Sequence, residues 1–194
     1  INPDEAGRAD LIFSPHDHID HCHGGTMVPM TRNTDAICIA PESSARKMRE
    51  FGIAEDRIRQ VQPGDVVEFR DVTLYIYPAY DANEVYAVTY VVESGGVRLF
   101  VSGDTSDGPA LATVAENHRL DYALLAFGRT WYMDEEQCLA VARKLRPKIL
   151  LPFHWEFWRN HTGDIQKLFK LYFDQKPDFD IKILLIGDSI PLTS

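Results

Sequence analysis

Little in this sequence suits a disulfide scaffold, a membrane span or a polyanion-binding surface. The three cysteines, Cys22, Cys38 and Cys138, are odd in number and form no C-x-x-C pair. That usage fits a reduced compartment better than a disulfide framework. No apolar run approaches the roughly 18 residues that a membrane span needs, and no signal peptide is recognisable, so the expected location is the cytoplasm. Positive charge is scarce, with 20 Lys and Arg against 29 Asp and Glu and a net charge of −9. This balance argues against nucleic acid or an anionic membrane as a partner, while leaving room for a local basic pocket for a small anion. There is no repeat, low-complexity segment or domain-splitting linker. With 194 residues, 45% of them hydrophobic, the expectation is a single domain, 1–194, with a substantial core.

Against that background one stretch is dense in metal-ligand chemistry. Ser14-Pro15-His16-Asp17-His18-Ile19-Asp20-His21 reads H-x-H-x-D-H and follows the apolar run Leu11-Ile12-Phe13. Three of the chain's seven histidines fall in this loop. A strand that ends in a ligand-rich loop presents several donors at one rigid edge, as a metal site requires. His16 and His18, two apart on extended backbone, would point the same way and share one ion. Asp20 and His21 lie around the bend, within reach of a second ion. Cys22 alternates away from His21 and is expected to pack rather than ligate.

The rest of the chain reads as hairpins followed by alternating helices and strands. Strands are expected at Asp10–Phe13, Ala36–Ala40 and Arg57–Val61, with a helix from Pro41 to Phe51 stopped by Gly52. Gly24 and Gly25 read as a flexible exit from the ligand loop. Further strands are expected at Val66–Phe69, Val72–Tyr77, Val85–Glu93 and Val97–Val101, the last two joined at Ser94-Gly95-Gly96. Helices follow at Pro109–His118, Asp134–Leu145 and Gly163–Asp174, interleaved with strands at Tyr122–Phe127, Ile149–Phe153 and Ile181–Ile186. This order fits a sheet layered with helices, an α+β architecture.

The H-x-H-x-D-H loop resembles the signature of the metallo-β-lactamase superfamily, which implies a four-layer αβ/βα fold and a two-metal centre. Asp104, after Leu99–Gly103, would bridge the two ions, and His154, after Ile149–Phe153, would be a ligand of the second. Where many members carry a further histidine, this chain reads Tyr77-Pro78-Ala79-Tyr80-Asp81. Either Asp81 replaces the imidazole or the first ion has one ligand fewer. Replacement would harden the site and favour Mn²⁺, with Zn²⁺ the alternative. Two divalent ions would then balance Asp20, Asp81, Asp104 and one hydroxide.

Val61-Gln62-Pro63-Gly64-Asp65-Val66-Val67, Ala79-Tyr80-Asp81, Ser102-Gly103-Asp104 and Pro152-Phe153-His154, with Trp158 beyond, resemble the L-ascorbate-6-phosphate lactonase group. That resemblance implies a small anionic sugar-phosphate lactone as substrate, opened by a hydroxide generated between the ions, in a cytoplasmic homo-oligomer. Asp20 or Asp104 would orient the nucleophile and pass its proton to the departing ring oxygen. Arg129, with its planar fork, is the expected phosphate ligand, ahead of Arg159 and His161. Trp158, Trp131 and Trp155 could wall the pocket, although packing into the core is the more frequent outcome for such aromatics. The superfamily resemblance also implies strands ahead of the motif, so the expected domain lacks its N-terminal strands and leaves a sheet edge to be covered. Two other readings stay open: a phosphodiesterase or nuclease of the same fold, and a non-catalytic metal-binding module.

Overall fold

A computed structural model describes residues 2–5, 7–81, 84–128, 132–156 and 162–193. Its layers follow from alternation along the strands, since successive side chains of a strand face opposite ways. In β1 (Leu11–Phe13) and β2 (Ile37–Ala40), Leu11, Phe13, Ile37 and Ile39 join one core, whereas Ile12, Cys38 and Ala40 join another. With β3 (Ile58–Gln60) these strands form a parallel sheet in the order β1-β2-β3. The Cys38 face is covered by α1 (Gly24–Asn33) through Met27 and Val28, and by α2 (Glu42–Glu50) through Ala45 and Met48.

The Ile39 face meets a larger sheet. Its strands are β4 (Val66–Phe69), β5 (Val72–Pro78), β6 (Val88–Ser94), β7 (Val97–Val101), β8 (Tyr122–Ala126), β9 (Ile149–Phe153) and β10 (Asp180–Ile181). They lie in the order β10-β9-β8-β7-β6-β5-β4, antiparallel from β4 to β7 and parallel from β7 to β10. Val67, Leu74, Ile76, Val88 and Tyr90 pack against Ile39 between the sheets. Each such side chain contributes about 1.5–3 kcal/mol on burial, and the joint fixes the ligand loop after β1 against the ends of β5 and β7. The opposite face buries Val91, Phe100, Ala123, Leu125 and Leu150 beneath α3 (Pro109–Asn117), α4 (Glu135–Leu145) and α5 (Ile165–Gln175). The result is helix, sheet, sheet, helix, the α+β four-layer arrangement expected.

Three local expectations are corrected. Gly24 and Gly25 are not a flexible exit but the first turn of α1. A Cβ on Gly24 would lie 3.0–3.2 Å from the Phe51 ring, and one on Gly25 would lie 2.7 Å from the His23 ring. Glycine here allows close approach rather than freedom. β6 starts at Val88, not Val85, because its partner β5 runs out at Pro78, whose register position is Val88; Val85 sits in a turn and is 93% exposed. The last strand ends at Ile181. Beyond it, Leu185 and Asp188 close a turn on each other, with Gly187 at a φ of 95°. All three cysteines are buried free thiols. Among the described residues, no helix is long and apolar enough to cross a membrane.

Candidate metal centre

The loop after β1 is not the extended segment that the two-residue spacing of His16 and His18 implied. It is a succession of bends closed by a turn, with the His21 and Cys22 amides both donating to the His18 carbonyl at 3.0 and 2.8 Å. Four hydrogen bonds pin it. Tyr90 Oη donates to the Ser14 carbonyl at 2.8 Å, Ser14 Oγ donates to the His16 carbonyl at 2.8 Å, the Val88 amide donates to the Pro15 carbonyl at 2.9 Å, and Lys47 Nζ donates to the Asp17 carbonyl at 2.5 Å. β6 and α2 therefore set the loop's shape, and His16 is fully buried. Cys22 packs as expected, its Sγ 3.7 Å from Met27 Sδ.

The fold brings the seven candidate ligands into two adjoining groups. His16, His18 and Asp81 form one, and Asp20, His21, Asp104 and His154 the other, each with potential ligand atoms within 4.8 Å of one another. Asp104 joins them: its Oδ2 lies 3.8 Å from His16 Nε2, and its Oδ1 lies 3.2 Å from His21 Nε2 and 3.8 Å from His154 Nε2. His154 Nε2 is 3.1 Å from Asp20 Oδ2, and His16 Nε2 is 3.9 Å from Asp81 Oδ2. The His21 and His154 rings are parallel, 5.3 Å apart.

Each later residue is held by its own device. The Tyr80 amide donates to Thr105 Oγ1 at 2.8 Å and the Ala110 amide donates to Tyr80 Oη at 3.0 Å, fixing the residue before Asp81. Asp104 follows Gly103, whose φ of 54° suits glycine and whose added Cβ would lie 2.8 Å from Pro15 Cβ. Gly103 thus lets the β7 end close onto the ligand loop. Gly103→Ala is expected to lose roughly 2–4 kcal/mol, from left-handed backbone and a clash with the Pro15 ring, and to displace Asp104. Thermal unfolding and metal content of the variant measure both effects. His154 has a φ of 74°, uncommon for a residue with a side chain. Tyr132 Oη lies 2.5 Å from its Nδ1.

The donors fit divalent metal. Six buried side-chain atoms among the described residues lack a hydrogen bond, and four of them belong to this cluster: His16 Nδ1 and Nε2, His21 Nε2 and Asp104 Oδ1. His21 Nε2 and Asp104 Oδ1 are close yet misaligned for a hydrogen bond, as donors aimed at a common point would be. Burial, reinforced by the neighbouring His21, pushes the His16 pKa down to about 3, so its imidazole is neutral and offers lone pairs. Burial opposes ionisation of Asp20, but the hydrogen bond from His154 and the nearby His21 outweigh it and hold the carboxyl low. At Asp104 burial is likewise outweighed, chiefly by His21. His154 is shifted upward because Asp20 and Asp104 overcome its burial. Unpaired buried lone pairs beside ionised carboxylates make a ligand set of mixed imidazole and oxygen.

Arg129 and Trp158, the expected substrate ligands, lie outside the described residues, as do Trp131, Arg159 and His161. Trp155 stacks on Phe127 at 5.9 Å and packs against the core beneath α3 to α5. Tyr132 and Lys47 escaped the sequence reading, since no local pattern links them to residues 22 and 30 positions away.

Comparison with known proteins agrees with this geometry. The chain is 26% identical, over 92% of its length, to the "Probable L-ascorbate-6-phosphate lactonase UlaG" of Salmonella paratyphi B, and spans 57% of that relative. In structure it resembles Igni18, a metallo hydrolase of Ignicoccus hospitalis, with a TM-score of 0.81 at 18% identity, covering 94% of this chain and 78% of that one. It also resembles an isothiocyanate hydrolase from Delia radicum gut bacteria, with a TM-score of 0.76 at 16% identity, covering 95% of this chain and 77% of that one. A family model described as the beta-lactamase superfamily domain matches residues 2–155. The chain therefore belongs to the beta-lactamase superfamily, and its four layers are the metallo-β-lactamase fold.

Proposed function

We propose that this chain is a two-metal hydrolase that opens a small lactone, with a phosphorylated sugar lactone as the substrate class. The observation that supports this best is the pair of donor groups joined at Asp104, in a chain related to proteins named as lactonases. Two divalent ions, when bound, supply Lewis acidity for the lactone carbonyl and acidify the attacking water. His16, His18 and Asp81 would hold one ion and Asp20, His21 and His154 the other, with Asp104 shared. Asp20, beside His154, is placed to orient the water and carry its proton to the departing ring oxygen, with Asp104 as the alternative carrier. Arg129 and Trp158 remain the proposed contacts for phosphate and sugar. A small-molecule substrate, a cytoplasmic setting and a homo-oligomeric state belong to the same reading.

Asp81 decides the metal. Oxygen in place of imidazole favours Mn²⁺, and Asp81→His should raise the Zn²⁺-to-Mn²⁺ activity ratio on the order of tenfold. An unchanged ratio would show that Asp81 is not a ligand. The reading as a whole is tested by assaying metal-loaded protein against lactones with and without phosphate, simple esters and phosphodiesters. Turnover of the phosphorylated lactones alone is the expected result. Preferential phosphodiester cleavage, or bound metal with no turnover of any ester, would overturn it.

A further inference from the structure

We infer that Tyr132 is a positioning residue of the metal centre: its phenol oxygen keeps the ring proton of His154 on Nδ1 and so presents Nε2 as the metal-facing lone pair. This rests on the two-metal reading above. A neutral imidazole carries one N–H; the contact with Asp20 at 3.1 Å takes it on Nε2 when no metal is bound, and only when metal binding leaves the proton on Nδ1, facing Tyr132, is Nε2 free to ligate. The geometry assigns the two nitrogens to different tasks. Nδ1 lies 2.5 Å from Tyr132 Oη, while Nε2 faces Asp20 Oδ2 at 3.1 Å and Asp104 Oδ1 at 3.8 Å.

Tyr132 is built to be rigid. It is 5% exposed, and its ring meets that of His154 edge-on, with centroids 5.2 Å apart at 84°. The next residue, Met133, is fully buried, and its carbonyl accepts from the Gly128 amide at 2.9 Å. Asp134 then caps α4 reciprocally with Gln137: the Gln137 amide donates to Asp134 Oδ1 at 2.8 Å and the Asp134 amide donates to Gln137 Oε1 at 3.0 Å. A capped helix and a core side chain thus hold the phenol still. Its partner is the less settled of the two, because His154 occupies left-handed backbone at a φ of 74°, where a non-glycine residue persists only when its surroundings hold it there.

The chemical type of the partner also fits. Ligating histidines commonly rest on a carboxylate or carbonyl, which raises their basicity. The cluster already holds Asp20, Asp81 and Asp104, enough with one hydroxide to neutralise two divalent ions. A further carboxylate behind His154 would leave buried negative charge uncompensated. A phenol oxygen accepts the hydrogen bond from Nδ1–H without adding charge.

The test compares wild-type protein with Tyr132→Phe, which keeps the ring and removes the oxygen. Stepwise Zn²⁺ and Mn²⁺ titration by calorimetry should show the first affinity unchanged and the second weakened roughly 10–100-fold. NMR of ¹⁵N-histidine-labelled, Zn²⁺-loaded wild-type protein should show His154 protonated at Nδ1 and bound through Nε2, with that proton slow to exchange and fast in the variant. Equal affinities in both proteins, or His154 bound through Nδ1, would overturn the inference while leaving the metal centre intact. Wild-type protein that binds fewer than two ions would instead sink the two-metal reading, and the inference with it. Should Tyr132→Phe fail to fold, the wild-type spectrum alone decides it.

Discussion

Asp104→Asn is expected to lower kcat/KM at least about 10³-fold, equivalent to roughly 4 kcal/mol of lost transition-state stabilisation, while leaving the fold intact. Asp104 reaches both donor groups, 3.8 Å from His16 Nε2 and 3.2 Å from His21 Nε2. Asn keeps its volume, so the packing of the β7 end against Pro15 is preserved. The substitution removes the charge and turns one oxygen into an NH₂ donor that would face imidazole lone pairs. Both metals would lose a ligand, where Asp20→Asn would affect the second alone. Metal analysis of purified Asp104→Asn should find one ion or fewer, and circular dichroism should match wild type. Two ions and a rate within tenfold of wild type would remove Asp104 from the bridging position.

How much of this was legible in the sequence follows from the range of each interaction. Apolar runs and alternation are local, so the strands expected at Asp10–Phe13, Val72–Tyr77 and Ile149–Phe153 were readable directly, to within a residue of their ends, and the ligand loop announced itself by density alone. Asp104 and His154 were legible because each follows an apolar strand, and strand ends are where this layered fold collects its side chains. α1 was missed for a physical reason. Its run Gly24 to Asn33 carries Pro29 inside, begins with two glycines and buries only Met27, so it shows no apolar stripe of helical period. Its start is set by close packing on Phe51, which no local pattern reveals. The bends of the ligand loop were invisible likewise, because Tyr90 and Val88 on β6 and Lys47 on α2 impose them from two distant elements. Two residues apart was the right clue to a His16–His18 pair for the wrong backbone: their rings do meet, 4.5 Å apart and edge-on, through a bend rather than a pleat.

Chelating the metals is expected to lower Tm by roughly 8–16 °C for each site emptied. An ion that binds only the folded state at about a thousand times its Kd adds about 4 kcal/mol, and a domain of this size shifts about 2–4 °C per kcal/mol. The burial of the donor set gives this number a structural basis. The side chains of Asp20, Asp81 and Asp104 are only 7%, 3% and 8% exposed, so their mutual repulsion is poorly screened by solvent. His16 offers two buried nitrogens and His21 one without hydrogen bonds, each such atom costing about 1–3 kcal/mol of desolvation. Metal would satisfy these atoms and neutralise the carboxylates in one step. Melting curves with EDTA and with saturating Mn²⁺ or Zn²⁺ measure the shift, and Asp104→Asn should lose most of it. Arg146→Ala, on the exposed C-cap of α4, should keep the full metal-dependent shift. Coincident curves with and without metal would mean that these seven side chains satisfy one another as they stand, and that their convergence is packing rather than a metal site.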